Sequence, residues 1–500
     1  ASGPEKAYER EDFLNDSKRM FAVARIPVLL LGLAGGLFVF LWSRQLWGAW
    51  GAAISTLLYA FDPSLLAHSS VVTTDVAIAT CTVATLYFFW RTSQRLTAGN
   101  AAGFVIAFSL AQTAKFTAVL LVPVVIALAL WHLVRHRRTG GRMLGLIAVA
   151  GVASIVVLWG AYGFRFAAAA DGSGGFFTAN VVREWQAKED IRRLGPDAAE
   201  EQQLWARRSA TAGGAKSLIL VAKRYRLLPE AYLHGVAFAG ASTVLRTAFL
   251  NGEFSSFGFA TYFFWTFLYK TPLPAIVAIA AGLFFALRRR PAGIEFLLVP
   301  AAILLAVAVL SRFNIGHRHI LVVMPLLYIL AGSLGALWDR RRAVWIPVAG
   351  AVLALSSSIV FAGRPALMPG NHMAYLNEIA GGPRRGYVRI NDSNFDWGQD
   401  LARLGRWVRE HGVAEPIQLA YFGTADARVY GIRFRPASPV APLRPGYLAI
   451  STVEYIGLYA PPAERDRWPR ALERANAQLF DSAGYSILIF KLPDRGPSSQ

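Results

Sequence analysis

Ten apolar runs decide what this chain can become. They lie at 21–43, 46–62, 71–90, 101–114, 116–134, 143–163, 264–287, 293–311, 319–337 and 343–362. A run needs about 20 apolar residues to cross the hydrocarbon core of a bilayer, and fewer where neighbouring helices thin or tilt around it. Only 16% of the residues are charged and 55% are hydrophobic, so the chain falls outside the soluble globular class. Lys and Arg outnumber Asp and Glu by 51 to 31, but the Arg clusters sit between apolar runs, where membrane topology accounts for them. No nucleic-acid partner is therefore expected. The one cysteine, Cys81, lies inside an apolar run, so no internal disulfide forms and its expected role is that of a small buried hydrophobe.

Alternate connections carry Arg44, then Arg91 and Arg95, then Arg135, Arg137, Arg138 and Arg142, then Arg288 to Arg290, then Arg340 to Arg342. Positive charge marks the cytoplasmic side, which places the other connections outside. The chain reads as a multi-pass protein of an inner, cytoplasmic membrane. Its expected parts are an external segment at 1–20, membrane helices over 21–163, an external loop at 164–263, membrane helices over 264–362, and an external domain at 363–500. An even number of runs puts residues 1–20 outside as well, without an export signal, so a preceding membrane span is expected.

Past residue 363 the pattern changes. GYVRIND, PIQLAYFG, GYLAIST and YSILIFKL read as strands, with helices near 397–411 and 461–478, giving a small external α/β domain. Within 164–263, LWARRSA and AKRYRLLP read as amphipathic helices on the membrane surface.

The informative polar residues are those on the external side with apolar flanks. Asp75 stands alone at the lip of an apolar run, with His68 in the loop before it. The others are Lys115 in QTAKFTA, Glu253 in LNGEFSSFG, Lys270 in FLYKTPLP, and Arg318 and His319 in NIGHRH. Charge at a membrane edge is costly unless it has a partner or a task. Cations beside a carboxylate suit transfer chemistry on an anionic lipid, because they stabilise a phosphate as its charge develops. Duller readings stay open: Asp75 as a helix N-cap, Lys115 and Lys270 as snorkelling side chains. No metal site is expected. His317 and His319 lack a nearby acidic ligand, and Asp392, Asn394 and Asp396 lack the Gly and terminal Glu of a calcium loop. Those three residues are expected to cap the helix near Trp397 or to rest the domain on the membrane helices.

PSLLAHSSVVTTD before an apolar run and Trp-Arg, then TAKFTAVLLVP, LYKTPLP and NIGHRH, resemble the phospholipid-carrier-dependent glycosyltransferases of the GT-C fold. These are bacterial relatives of the protein O-mannosyltransferases and of the aminoarabinose transferase that acts on lipid A. AYLNEIAGGPRRGY, NDSNFDWGQDL and AYFGTADARVYGI resemble the C-terminal domain of a bacterial branch of that family. The resemblance implies a mainly α, polytopic membrane fold with a small C-terminal external α/β domain. It also implies a sugar donor on polyprenyl phosphate, a lipid, glycan or protein acceptor on the external face, and no soluble cofactor. Asp75 is then catalytic, orienting acceptor or base; Lys115, Lys270 and Arg318 hold the donor phosphate; His68, Glu253 and His319 line the cavity. ARIPVLLLGL resembles the family's second helix, so the family's principal acidic residue, in the first external loop, is expected upstream of Ala1. The alternatives are a catalytically silent GT-C-like subunit of a larger membrane complex, and a transporter. The latter predicts charge near the bilayer midplane, whereas charge here collects at helix ends.

Overall fold

The computed structural model describes residues 11–169, 175–337 and 371–493. Helix α1 (Glu11–Ala60) is two antiparallel limbs, broken at Gly48 with φ 77°, a backbone conformation that glycine takes without steric cost. The second limb returns along the first: the Ser43 and Ser55 hydroxyls lie 2.8 Å apart, and the Tyr59 hydroxyl donates to the Gly32 carbonyl at 2.8 Å. The first two expected runs are thus a helical hairpin whose fold lies at Gly48 and not at Arg44. Asp62 then caps the short α2 (Pro63–Ser69) by accepting from the Leu65 N–H at 2.6 Å, with Pro63 at the first position, where its missing N–H costs nothing.

Helix α3 (Asp75–Gln94) is the axis of the bundle. It is buried along most of its length and packs on α1 and on α4 (Ala98–Ala114). Phe89 stacks on Phe104 at 4.7 Å, and Trp90 on Trp42 at 5.8 Å. Thr80 donates to the Leu31 carbonyl at 2.8 Å, the kind of interhelical hydrogen bond that joins helices where water is absent. Because α3 faces protein on all sides, it carries Thr80, Thr82 and Thr85 without presenting them to lipid. Helices α5 (Leu121–Arg135) and α6 (Arg137–Ala161) follow. The segment after α6 holds α7 (Thr178–Leu194), α8 (Glu200–Ser209), α9 (Ala215–Arg224), α10 (Glu230–Thr243) and a hairpin of β1 (Ala248–Leu250) and β2 (Glu253–Ser255). The bundle then resumes with α11 (Tyr262–Lys270), α12 (Leu273–Arg289), α13 (Glu295–Ser311) and α14 (Met324–Ala331).

Among the described residues three helices are long and apolar enough to cross a membrane, Arg19–Ala60, Phe116–Arg135 and Arg137–Ala161; α11 and α12 together make a fourth, bent by 115°. The expected straight span at 264–287 is corrected by that bend. Pro272, at ψ 137°, leaves the helical path, and a proline cannot complete the hydrogen bonds of a continuing helix. The expected runs at 71–90 and 101–114 are helices, but α3 is enclosed by protein and α4 has 17 residues. The run at 293–311 is α13, also of 17 residues, the run at 319–337 is the shorter α14 extended by a 3-10 turn, and 343–362 lies outside the described residues. Among the described residues, length and composition alone leave the count of ten spans unconfirmed.

The C-terminal domain is α/β as expected. Strands β3 (Ile417–Ala420), β4 (Phe434–Pro436), β5 (Gly446–Ser451), β6 (Gln478–Ala483) and β7 (Ile487–Leu492) form one mixed sheet in the order β4-β3-β5-β7-β6. Helices α15 (Leu401–Glu410), α16 (Thr452–Tyr455) and α17 (Arg467–Arg474) accompany it. Three of the four expected strand segments are β3, β5 and β7. The fourth, GYVRIND, is instead the end of a 3-10 turn, Pro383–Val388. Its Ile390 is buried with Phe395 against Tyr262, Phe263 and Tyr269 of α11, so this stretch spends its apolar residues on the membrane helices and not on the sheet.

Candidate active site

Three chain breaks meet at one end of the bundle. Asp75 opens α3; Lys115, in extended conformation, separates α4 from a 3-10 turn (Phe116–Leu120); Arg318 sits in the 3-10 turn His317–His319. Each break frees a side chain from the helical array. Lys115 Nζ lies 2.6 Å from Asp75 Oδ1, and Arg318 Nη1 lies 3.5 Å from Asp75 Oδ2. The carboxylate is 1% exposed, whereas Lys115 and Arg318 keep 19% and 18% of their side chains exposed. One enclosed negative charge therefore braces two positive charges that still reach outward, and the cluster carries a surplus of one positive charge.

The cations face a groove of about 160 Å³ whose lining includes Lys115, Arg318, His319, Leu121, Leu304 and Val322. It is apolar along its walls and basic at one end, the form expected of a site for a lipid with an anionic head. Arg91, in the last turn of α3, lies at the other end of that helix and donates to Gln45 at 3.1 Å beside the fold of α1. Asp75 and Arg91 thus stand at opposite ends of one helix, in keeping with the segregation of charge read from the sequence.

The C-terminal domain packs against this end of the bundle. Trp397 lies under the Arg318 guanidinium, 4.5 Å from carbon to ring centroid, and meets the His68 ring edge-on at 5.9 Å. Ser393 donates to the Ile315 carbonyl at 2.7 Å, and Asn394 Oδ1 accepts from the His317 N–H at 2.7 Å. NDSNFDW therefore rests the domain on the bundle. The alternative, a cap for the following helix, is corrected, because α15 starts only at Leu401 behind Asp400. Burial pushes the His68 imidazole down to about 4 and that of His317 to about 3, so both rings are neutral at pH 7 and the positive charge of the site belongs to Lys115 and Arg318.

Lys270 takes a different place from the one expected. It is buried, and its ammonium donates to the carbonyls of Met373 at 2.6 Å and Asn394 at 2.7 Å. It joins the end of α11 to the segment that leads into the C-terminal domain. Glu253 is exposed on β2 and takes no part in the cluster. His68 is buried beside Trp397, and His319 lines the groove with Phe313 edge-on at 4.7 Å. Sequence reasoning overlooked Asp62, which is buried and accepts from the Tyr328 hydroxyl as well as from Leu65; an Asp-Pro pair before PSLLAHS was its visible signal. It also left Trp397 without a role, since nothing local to FDWGQ shows that its indole meets a guanidinium some 80 residues away in the chain.

Two predictions belong to this seam. Lys270→Met leaves the Met373 and Asn394 carbonyls without their donor, and each buried unpaired acceptor costs about 1–3 kcal/mol. The variant is expected to melt lower and to admit protease at 371–400 under conditions where the parent chain is resistant. Asp396 is buried and accepts from Gly398 at 3.1 Å and from Val453 at 3.3 Å; burial pushes its carboxyl up to about 7. The folded chain thus holds a proton there that the unfolded chain releases near pH 4. This contribution to stability is complete below pH 4, falls as pH rises toward 7, and is level above. Asp396→Asn is expected to remove that fall, so melting curves of variant and parent should diverge from pH 4 to 7, by up to about 1.4 kcal/mol per pH unit.

Fold and site together define a polytopic membrane protein with a braced cationic pocket at one end of its apolar helices. Residues 17–159 match the family described as dolichyl-phosphate-mannose-protein mannosyltransferase. The resemblance to the carrier-dependent glycosyltransferases read from the motifs is thereby shown for this segment, which contains Asp75 and Lys115. No curated protein matches the sequence. Among solved structures, the archaeal oligosaccharyltransferase AglB from Archaeoglobus fulgidus, in complex with an inhibitory peptide and a dolichol-phosphate, aligns with 96% of this chain at 14% identity and a TM-score of 0.41. The alignment covers 64% of AglB, less than two thirds of its length. ArnT from Cupriavidus metallidurans aligns in the apo state over 95% of this chain and 84% of its own, at 13% identity and a TM-score of 0.26. Its form bound to undecaprenyl phosphate aligns over 93% and 83%, at 14% and 0.25.

Proposed function

We propose that this protein transfers a sugar from a polyprenyl-phosphate donor to an acceptor on the external face of the membrane. The observation that carries the reading is the cluster at Asp75: two cations, each partly exposed, fixed on one buried carboxylate at the head of an apolar groove. The isoprenoid chain runs along Leu121, Leu304 and Val322, and the phosphate meets Lys115 and Arg318. As the acceptor's hydroxyl or amine attacks the anomeric carbon with inversion, the bond from that carbon to the phosphate oxygen breaks and the acceptor's proton passes to water. The carrier phosphate leaves with the electron pair, and its growing charge is met by cations already in place, which is where such sites gain most of their rate. Asp75 is committed to both cations, so it positions them and is not the proton acceptor. The family match over residues 17–159 supports the same chemistry.

The test is to incubate purified protein with radiolabelled polyprenyl-phosphate sugars and a membrane extract as the source of acceptors. Label should leave the lipid and appear in a product that no longer partitions with it. Retention of label on every donor would remove the transferase reading.

A further inference from the structure

The β1–β2 hairpin packs on the C-terminal domain beside a second cleft. Phe249 of β1 is buried with Val453 and Leu458, and the Arg465 guanidinium lies over the Phe254 ring of β2 at 4.0 Å. After α16 the chain turns at Gly457, with φ 64°, so close to the Arg465 backbone that a Cβ would stand 2.7 Å from it; glycine takes that turn without steric cost. The turn leaves a cleft of about 390 Å³ walled by α16, α17 and the chain between them, a size in the range of ligand sites.

Four charged residues line it, Glu454, Glu464, Arg465 and Arg467. Glu464 and Arg467 pair with each other at 2.7 Å. Glu454 is exposed and, among the described residues, its carboxylate has no hydrogen bond or ion pair. Arg465 meets no carboxylate among those residues, and its Nε is buried without a hydrogen-bond partner. Tyr459, 46% exposed, lines the same cleft. Its hydroxyl is spent, donating to Asp392 and accepting from Arg246 at 3.1 Å, so what it offers a ligand is ring surface, backed by Phe422 stacked at 5.7 Å. An uncommitted carboxylate, an uncommitted guanidinium and an aromatic ring thus share a cleft whose charges balance.

We propose that this cleft binds an uncharged saccharide, and that the acceptor of sugar transfer is a glycan; the second statement rests on the transferase reading and the first does not. A carboxylate accepts from neighbouring hydroxyls, a guanidinium donates to hydroxyl oxygens in a planar fork, and an aromatic ring covers an apolar C–H face. Balanced charge gives a phosphate or carboxylate ligand no advantage. An extended peptide would add to an open strand edge, whereas these walls are helices and turns. Two short stretches of chain join the cleft to the donor groove. Thr243 lines the groove and Arg246 holds Tyr459; Asp392 accepts from Tyr459, and the next two residues, Ser393 and Asn394, hold the turn that carries Arg318. A glycan seated here is held by the same stretches that frame the cationic cluster.

Purified protein, in a detergent without a sugar headgroup, is titrated calorimetrically with neutral di- and trisaccharides of hexose and N-acetylhexosamine, free and lipid-linked, and with a Ser/Thr-rich peptide. A saccharide is expected to bind. Glu454→Gln should weaken it roughly tenfold or more, as loss of a hydrogen bond to a charged group implies, with no change in melting temperature, because that carboxylate has no partner in the protein to lose. Binding of the free saccharide identifies a glycan ligand and binding of the lipid-linked form alone a glycolipid; either, with the loss in Glu454→Gln, bears the proposal out. No saccharide bound, undiminished binding in Glu454→Gln, or the peptide bound in its place would overturn it. No donor is present in this titration, so its result stands whether or not the protein transfers sugar. When labelled donor is added, the bound saccharide should take up label; transfer to another acceptor with none to the saccharide would overturn the acceptor assignment alone.

Discussion

Arg318→Ala is expected to slow sugar transfer roughly 100- to 1,000-fold, the loss of about 2.7–4 kcal/mol that follows removal of one group stabilising charge in a transition state. Arg318 is held from one side by Asp75 at 3.5 Å and from beneath by the Trp397 ring at 4.5 Å, so a guanidinium that lines the groove is fixed in place before any lipid arrives. Arg318→Lys should recover little of the activity, because an ammonium presents a point charge and lacks the planar fork that can both lie on an indole and pair with two oxygens. The measurement is kcat for release of label from a radiolabelled donor, with melting temperature as the control. A large loss of stability with unchanged turnover per folded molecule would assign Arg318 to structure alone.

Asp75→Asn carries the second large effect, on stability and turnover together. Removing one partner from a buried ion cluster leaves uncompensated charge and costs about 3–5 kcal/mol; here two cations lose the same carboxylate. The double variant Asp75→Asn with Lys115→Met removes the brace and one braced cation, so it should regain a good part of that stability without regaining transfer. Coupled sites behave in this non-additive way. Stability restored together with transfer would show that Asp75 serves the fold and not the reaction.

Asp75, Lys115 and Arg318 were legible in the sequence because each stands at the edge of an apolar run, and charges there must find partners. What the sequence did not show is who partners whom. Asp75 and Arg318 are separated by nearly half of the chain, and no local pattern reveals that one carboxylate holds both Lys115 and Arg318. Lys270 shows the same limit from the other side: FLYKTPLP looks much like a site for a phosphate, yet its ammonium is spent on two carbonyls of a distant segment. The apolar runs were legible in position but not in shape. Hydropathy registers apolar length, but it cannot register the bend at Pro272 or the enclosure of α3, both of which are set by packing. GYVRIND alternates like a strand, and its burial against α11 overrides that local preference.

The central claim is that a lipid phosphate is held between Lys115 and Arg318, and binding tests it without requiring the acceptor. Purified protein in detergent is titrated with a short polyprenyl phosphate and, in parallel, with the polyprenol of the same length. The phosphate is expected to bind, the alcohol to bind at least tenfold more weakly, and that preference to disappear in both Lys115→Ala and Arg318→Ala. Equal binding of phosphate and alcohol, or an undiminished preference in the two variants, would contradict the account.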